Sequence, residues 1–419
     1  MVGADRVRMM KLLLILPFTM IIGNAQTCTQ TFTPSTIGTS PYPGSNVNAA
    51  VQKATAGTVL CFATGTYGEI DVYAAHPPSK VILQPASGAA AVLGYVTFNG
   101  VSNVTMTAFN GPSIIRGGFS IINAGQGNSN NIEFINNNLG SSGILVRDNT
   151  SANANILIAN NTITNFRVNG GYEPALMVVN TGAASCPNGI VFQNNHVNGS
   201  VGDGMGTGGG ACGTRFIGND IEGFVESACG AVHCDGFQDN GGGRQTVLDG
   251  NYFHNNTNCF GLYDGSSGLV IKNNVCSTAS DSGYWMQFGG AQTITFDHNT
   301  VVSKSGATYG TDHGGTSSSN VTFTNNIFPE QPVLNPGQNL SGTFVSDYNL
   351  CRSGCSGAHS FVGTPSYSGG TTPSTYSGYK LAPGSIGTSA ATDSTDIGIK
   401  VAVSGSQPQP PTLLTVTVR

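Results

Sequence analysis

The sequence predicts an all-β solenoid, one stack of parallel coils, and three observations predict it. Eight segments share one form: IEFINNNL, ILIANNTI, IVFQNNHV, TRFIGNDI, TVLDGNYF, LVIKNNVC, ITFDHNTV and VTFTNNIF. Each is a short alternating strand, a two-residue turn and an apolar residue. Their turn asparagines, Asn137, Asn161, Asn195, Asn219, Asn251, Asn274, Asn299 and Asn326, recur at intervals of 23 to 34 residues, the signature of stacked coils with loops inserted on some of them. Composition agrees: 59 glycines and 39% hydrophobic residues beside only 9% charged ones supply a core without the charged surface that helices need.

The elements follow in chain order. Residues 1–25, MVGADRVRMMKLLLILPFTMIIGNA, place Arg6, Arg8 and Lys11 before an apolar run and end in small residues, the pattern of a secretory signal peptide. The run is short and broken by Pro17, so it is not a membrane anchor, and no later stretch is long and apolar enough to span a bilayer. In NVNAAVQKATAGTVLCFATGTY, Val47, Ala50, Val51 and Ala54 fall at helical spacing, which predicts a short amphipathic helix covering the open end of the stack before a first strand TVLCFA. The repeat then occupies the chain, with Phe134, Ile158, Phe192, Phe216, Leu248, Ile271, Phe296 and Phe323 expected to stack inside. Asparagine suits the turn because it tolerates left-handed backbone angles and its amide can bond its counterpart in the next coil. Such coils build a parallel β-helix over 26–400. A leucine-rich repeat or a propeller would need other spacings. Residues 401–419 read as a Pro-rich flexible tail.

All ten cysteines lie beyond the export segment, so disulfides are expected: Cys28 with Cys61 and Cys351 with Cys355, with the connectivity of the central six open. The net charge of −5 excludes a nucleic-acid binder driven by phosphate contacts. A secreted monomer is expected.

The segment with Val47 to Val51 and the Gly65-Thr66-Tyr67 turn resembles the opening of many secreted right-handed parallel β-helix proteins of the pectate-lyase-like superfamily. YKLAPGSIGTSAATDSTDIGI is similar to the closing segment of many bacterial proteins of that type, and the resemblance runs from about Asn46 to Ile399. It implies a capped, right-handed β-helix in which the third strand of each coil and its preceding loops form a polysaccharide cleft. It assigns no enzyme family. The paired-aspartate, Gly-His-Gly and Arg-Ile-Lys motifs of polygalacturonases and the Arg-x-Pro-x-x-Arg pattern of pectate lyases are absent, and one scaffold serves many activities.

The candidate site starts from AVHCDGFQ, residues 231–238. With Val232 and Cys234 inward, His233 and Asp235 face outward on the third strand of their coil. The same strand in the next coils, CFGLYD and GYWMQF, adds Tyr263, then Trp285 and Gln287, to one outer strip. Aromatic faces cover sugar rings, while carboxylates and amides bond hydroxyls. His233, Asp235 and Tyr263 are therefore the catalytic candidates, and Gln238, Arg244, Asp264, Trp285 and Gln287 the substrate-binding ones. On a uronic-acid polymer the reaction is β-elimination, with a base removing the proton α to the carboxylate. Calcium, if bound, would draw on Asp203 and Glu226 beside Asp235 and Asp264. The alternatives are glycoside hydrolysis between paired carboxylates and glycan binding without catalysis. A walled cleft favours catalysis; a flat strip favours binding.

Overall fold

The computed structural model describes residues 26–149, 153–168, 174–180, 186, 188–229, 234–263, 265–278, 285–303, 309–310, 318–330 and 340–401. Residues 1–25, expected to be an export segment, the expected tail beyond Val401, His233 and Asp264 lie outside the described residues.

The chain is nearly all β, a parallel β-helix of about ten turns. Three sheets run along it. The first extends from Gln30–Phe32 to Leu340–Asp347, the second from Ile70–Ala75 to Tyr309–Gly310, and the third from Thr162–Arg167 to Phe361–Val362. The long strand Val96–Thr107 pairs in both the second sheet and the first, so those two are continuous early in the stack.

Register in the first sheet places Phe134, Ile158, Phe192, Phe216, Leu248, Ile271, Phe296 and Phe323 in one column, all fully buried as the repeat predicts. Neighbouring rings touch directly, with Phe192 and Phe216 stacked at 5.0 Å between centroids. Each such side chain contributes about 1.5–3 kcal/mol of hydrophobic stabilisation. One coil alone could not bury its apolar face, and stacking buries both sides of every coil but the end ones.

The turn asparagines form a continuous ladder inside the corner between the first and third sheets. In each, Oδ1 accepts from the backbone N–H and the amide of its counterpart in the preceding coil: Asn195 N and Nδ2 lie 3.0 and 2.9 Å from Asn219 Oδ1. Its own amide donates onward, from Asn219 Nδ2 to Asn251 Oδ1 at 2.9 Å, and back to the carbonyl of Phe192 at 3.0 Å. The pattern runs from Asn137 to Asn349. One expectation is corrected here. The left-handed residue is the one before each ladder asparagine, as at Asn194 (φ 52°) and Gly218 (φ 61°), so backbone strain and side-chain bonding are divided between adjacent positions.

The entry cap forms as expected. Helix α1, Ser45–Gln52, buries Val47 and Val51, and Asn48 Oδ1 accepts from Tyr73 N at 2.8 Å. Gly44 before it has φ 78°, and a Cβ there would stand 3.0 Å from Ile70 Cα. The expected first strand is in fact preceded by another. Gln30–Phe32 pairs in parallel with Val59–Phe62 and is tied to it by Cys28–Cys61. The Tyr67 hydroxyl secures the same place by donating to Phe32 O and Ala63 O at 2.9 and 2.8 Å. Cys351–Cys355 also forms as expected, and the central six cysteines pair as Cys186–Cys212, Cys229–Cys234 and Cys259–Cys276. The closing segment folds back along the third sheet: Tyr376 hydroxyl donates to Asn273 O at 2.6 Å and Tyr379 hydroxyl to Ser277 Oγ at 3.1 Å. No helix among the described residues is long and apolar enough to cross a membrane.

Candidate functional site on the second sheet

The third strand of the key coil is Asp235–Asn240, beginning four residues later than the quoted segment. Cys234 is buried in the core as expected. The alternation then breaks at the corner leading into the second sheet, where two consecutive residues face inward. A Cβ on Gly236 would stand 2.5 Å from the Phe253 ring, yet the next residue, Phe237, is also in the core. Cys259 with Phe260, and Trp285 with Met286, repeat this arrangement coil by coil. The chain wraps around the core there, so adjacent side chains converge inside the bend.

This corner corrects the placement of Trp285. Expected on the outer strip, it is fully buried, stacked on Phe328 at 5.4 Å and edge-on to Phe296 at 6.3 Å. It offers no platform to a sugar. A strict two-residue period applied through a corner produced the wrong face.

Past the corner Phe260, Leu262 and Met286 point inward as expected, while Gly261, Tyr263 and Gln287 belong to the outer face. Strand Asp235–Asn240 is shifted by the corner: alternation from Val232 and Cys234 would turn Phe237 outward and Gln238 inward, yet Phe237 is in the core and Gln238 joins the outer row. Asp235 and Tyr263 meet over Gly261: from a Cβ built there, Asp235 Oδ2 would be 2.6 Å away and the Tyr263 ring 2.8 Å. Only glycine leaves room for both. Tyr263 hydroxyl donates to Gln287 Oε1. One coil earlier, Asp203 Oδ1 accepts from Asp235 N at 2.8 Å and fixes the start of the strand.

These groups are buried. Asp235 is 0% exposed, Asp203 1%, Tyr263 3% and Gln238 4%, and Gln238 Oε1 has no hydrogen-bond partner among the described residues. Arg244 is set apart, at the turn between the second and first sheets, bridging Cys212 and Ser267. Glu226 is exposed on a one-turn helix, Glu226–Cys229, with its N–H on Thr257 Oγ1 at 2.7 Å. Among the described residues no three Asp, Glu, His or Cys side chains are arranged to hold a metal, and Asp264, the fourth carboxylate expected for calcium, lies outside them.

A second polar cluster, built around His196 and His254, escaped the sequence reading. On the outer face of the third sheet, His196 pairs with Asp220, and Glu222 with His254, in adjacent strands. His196 Nδ1 lies 3.2 Å from Asp220 Oδ2 and its Nε2 3.8 Å from Glu222. His254 Nε2 lies 2.7 Å from Asp220 Oδ1 and its Nδ1 3.6 Å from Glu222. Each imidazole thus lies between two carboxylates, and the four side chains clasp three coils together. The hydrogen bond to Asp220 raises the pKa of His196 against the opposing effect of burial. Burial pushes Asp220 up, but the hydrogen bonds from His196 and His254 outweigh it and hold the carboxyl far below its usual range. Carrying the repeat alignment one strand further would have revealed this cluster, since His196, Asp220 and Tyr252 directly follow successive ladder asparagines. His298 is only 2% exposed and faces Asp297 at 2.9 Å.

No family model matches the chain, and no curated protein matches it by sequence. Solved structures do resemble it in fold. A mannuronic acid specific polysaccharide family 6 lyase from human gut microbiota aligns over 79% of this chain and 87% of its own, at 13% identity and TM-score 0.44. PfbA, a surface adhesin of Streptococcus pneumoniae, aligns over 78% and 94%, at 13% identity and TM-score 0.46. The PL6 family alginate lyase AlyGC aligns over 88% and 57%, at 13% identity and TM-score 0.48. At these values the likeness concerns architecture.

Proposed function

We propose that the protein cleaves an acidic polysaccharide by β-elimination at the outer face of the second sheet. The observation that carries this reading is the meeting of Asp235 and Tyr263 over Gly261, with the Tyr263 hydroxyl held by Gln287. Burial keeps water from these groups, and charge interactions are stronger where water is excluded.

The roles follow from the chemistry. Tyr263 carries a hydroxyl proton on the outer face and is the proposed acid that gives it to the departing glycosidic oxygen. His233, two residues before Asp235 and within the ring closed by Cys229–Cys234, is the proposed base for the proton α to the uronate carboxylate. The C–O bond breaks as the C=C bond forms, and the proton lost to His233 is balanced by the one given by Tyr263. The Gln238 and Gln287 amides are proposed to bond sugar hydroxyls or the substrate carboxylate. No step is routed through a metal.

The test follows unsaturated-product absorbance and reducing ends on uronate and neutral polymers. The expected result is an absorbing product from an acidic polymer, lowered about 10²–10⁴-fold by Tyr263→Phe or His233→Ala. New reducing ends without absorbance would overturn elimination in favour of hydrolysis. Activity undiminished in both variants would remove this site.

A further inference from the structure

A groove of about 330 Å³ opens on the same face several coils before Asp235, lined by Tyr95, Ser142, Leu145, Phe166, Arg167 and Met177. Its floor is bare backbone: a Cβ on Gly117 would stand 2.3 Å from Tyr95 N, and one on Gly143 2.8 Å from Ala175 O. Arginines surround it. Arg167 forms part of the wall, Arg116 adjoins it through Ser142 Oγ, which donates to Arg116 O at 2.6 Å, and Arg147 stands two residues beyond Leu145 on the outer face.

All three arginines are exposed, and none has a side-chain partner among the described residues. That sets them apart from Lys80, Lys272 and Lys400, each of which faces a carboxylate. Three exposed guanidinium groups on this part of a chain of net charge −5 offer charge-assisted contacts to a polyanion. Tyr95 adds an aromatic surface beside them.

Register joins this groove to the proposed reaction centre. Leu145, Met177, Gly206, Gln238 and Gly261 occupy successive positions in one outer row. Four steps of about 4.8 Å separate the ends by about 19 Å.

We infer that the groove at Tyr95 and Arg167 is a distal subsite for the carboxylate-bearing sugars of an extended acidic polysaccharide, with Arg116, Arg147 and Arg167 as its cationic contacts. The inference rests on the proposed use of this face by a polysaccharide, and it deepens that reading by making the substrate polyanionic and long enough to span about 19 Å.

The test measures binding and cleavage separately on the full chain. Binding of polygalacturonate and alginate is titrated at low and high salt, with dextran as neutral control, for the wild type, the triple variant Arg116→Gln/Arg147→Gln/Arg167→Gln and Tyr95→Ala. The expected result is salt-sensitive binding of at least one polyuronate and none of dextran, at least tenfold weaker in the triple variant and weaker in Tyr95→Ala, with unchanged circular dichroism. Equal binding by wild type and triple variant, or no polyuronate binding at all, overturns the subsite. Cleavage that persists in the triple variant with unaltered KM for long chains also overturns it and leaves the elimination site standing. Arginine-dependent binding without cleavage keeps the subsite and removes the elimination reading.

Discussion

Replacing Asn219 by alanine tests whether the asparagine ladder bears structural load. The side chain makes four hydrogen bonds: it accepts from Asn195 N and Asn195 Nδ2, and it donates to Phe192 O and Asn251 Oδ1. Their loss is unequal. Asn251 Oδ1 still accepts from Asn219 N at 2.9 Å, and Asn195 Nδ2 keeps its bond to Ile158 O at 3.0 Å. The backbone N–H of Asn195 and one amide proton of the same residue are left buried without acceptors. At about 1–3 kcal/mol for each orphaned donor, Asn219→Ala is expected to cost about 2–6 kcal/mol. Asn219→Asp does no better, because it restores the acceptor but turns a carboxylate towards two oxygens.

Urea denaturation followed by far-ultraviolet circular dichroism and by Trp285 fluorescence measures the global effect, and coincident transitions are needed before a single free energy is quoted. Amide exchange at Asn195 measures the local effect. A cost of 2–6 kcal/mol corresponds to exchange from about thirtyfold to over ten-thousandfold faster, if that amide exchanges through opening of this coil. A change below about 1 kcal/mol, with the Asn195 amide protected as before, would refute the ladder's energetic role. Asn110→Ala, which removes one exposed bond to Asn136 O, is the control and is expected to shift stability by no more than about 0.5 kcal/mol.

Other expectations concern packing and protons. Trp285 fluoresces in an apolar setting and resists aqueous quenchers, and Trp285→Ala costs about 3–5 kcal/mol; quenching as in free tryptophan would contradict its core placement. Gly204→Ala drives a methyl to 2.2 Å from Ile221 Cγ2 and 2.7 Å from Gly236 O, so the melting temperature falls by the equivalent of about 1–3 kcal/mol. The clasp on the third sheet has two pH limbs. His196 stabilises fully below its ordinary value of 6.5, and this is lost as pH rises through its raised folded value; Asp220 stabilises above its ordinary 3.8, and this is lost as pH falls. Asp220→Asn is expected to flatten both limbs in a melting series, and an unchanged profile would exclude the clasp as their source.

The fold was legible because the repeat states the same physical condition eight times. Each inward Phe, Ile or Leu and each ladder asparagine sits in the same register with its neighbours, so one coil predicts the next. The outer strip was legible only in part. Alternation placed Tyr263 and Gln287 correctly, because they lie within straight strands. It failed at Trp285, because two successive residues turn inward where the strand rounds a corner, and no residue type announces that bend. The histidine clasp went unseen for another reason: its partners lie 24 and 34 residues apart, so their adjacency exists only through the stacking. The arginines of the groove come from separate coils and share no motif.

The ladder also has a consequence for how such a chain can change. Successive rungs are between 23 and 34 residues apart along the chain, yet every rung meets the next through the same pair of bonds at 2.8–3.2 Å. Extra residues therefore collect at the corners without displacing the strands above and below. Walls of a binding cleft can be lengthened, shortened or exchanged one coil at a time, while the asparagine column keeps the vertical spacing of everything that faces the cleft.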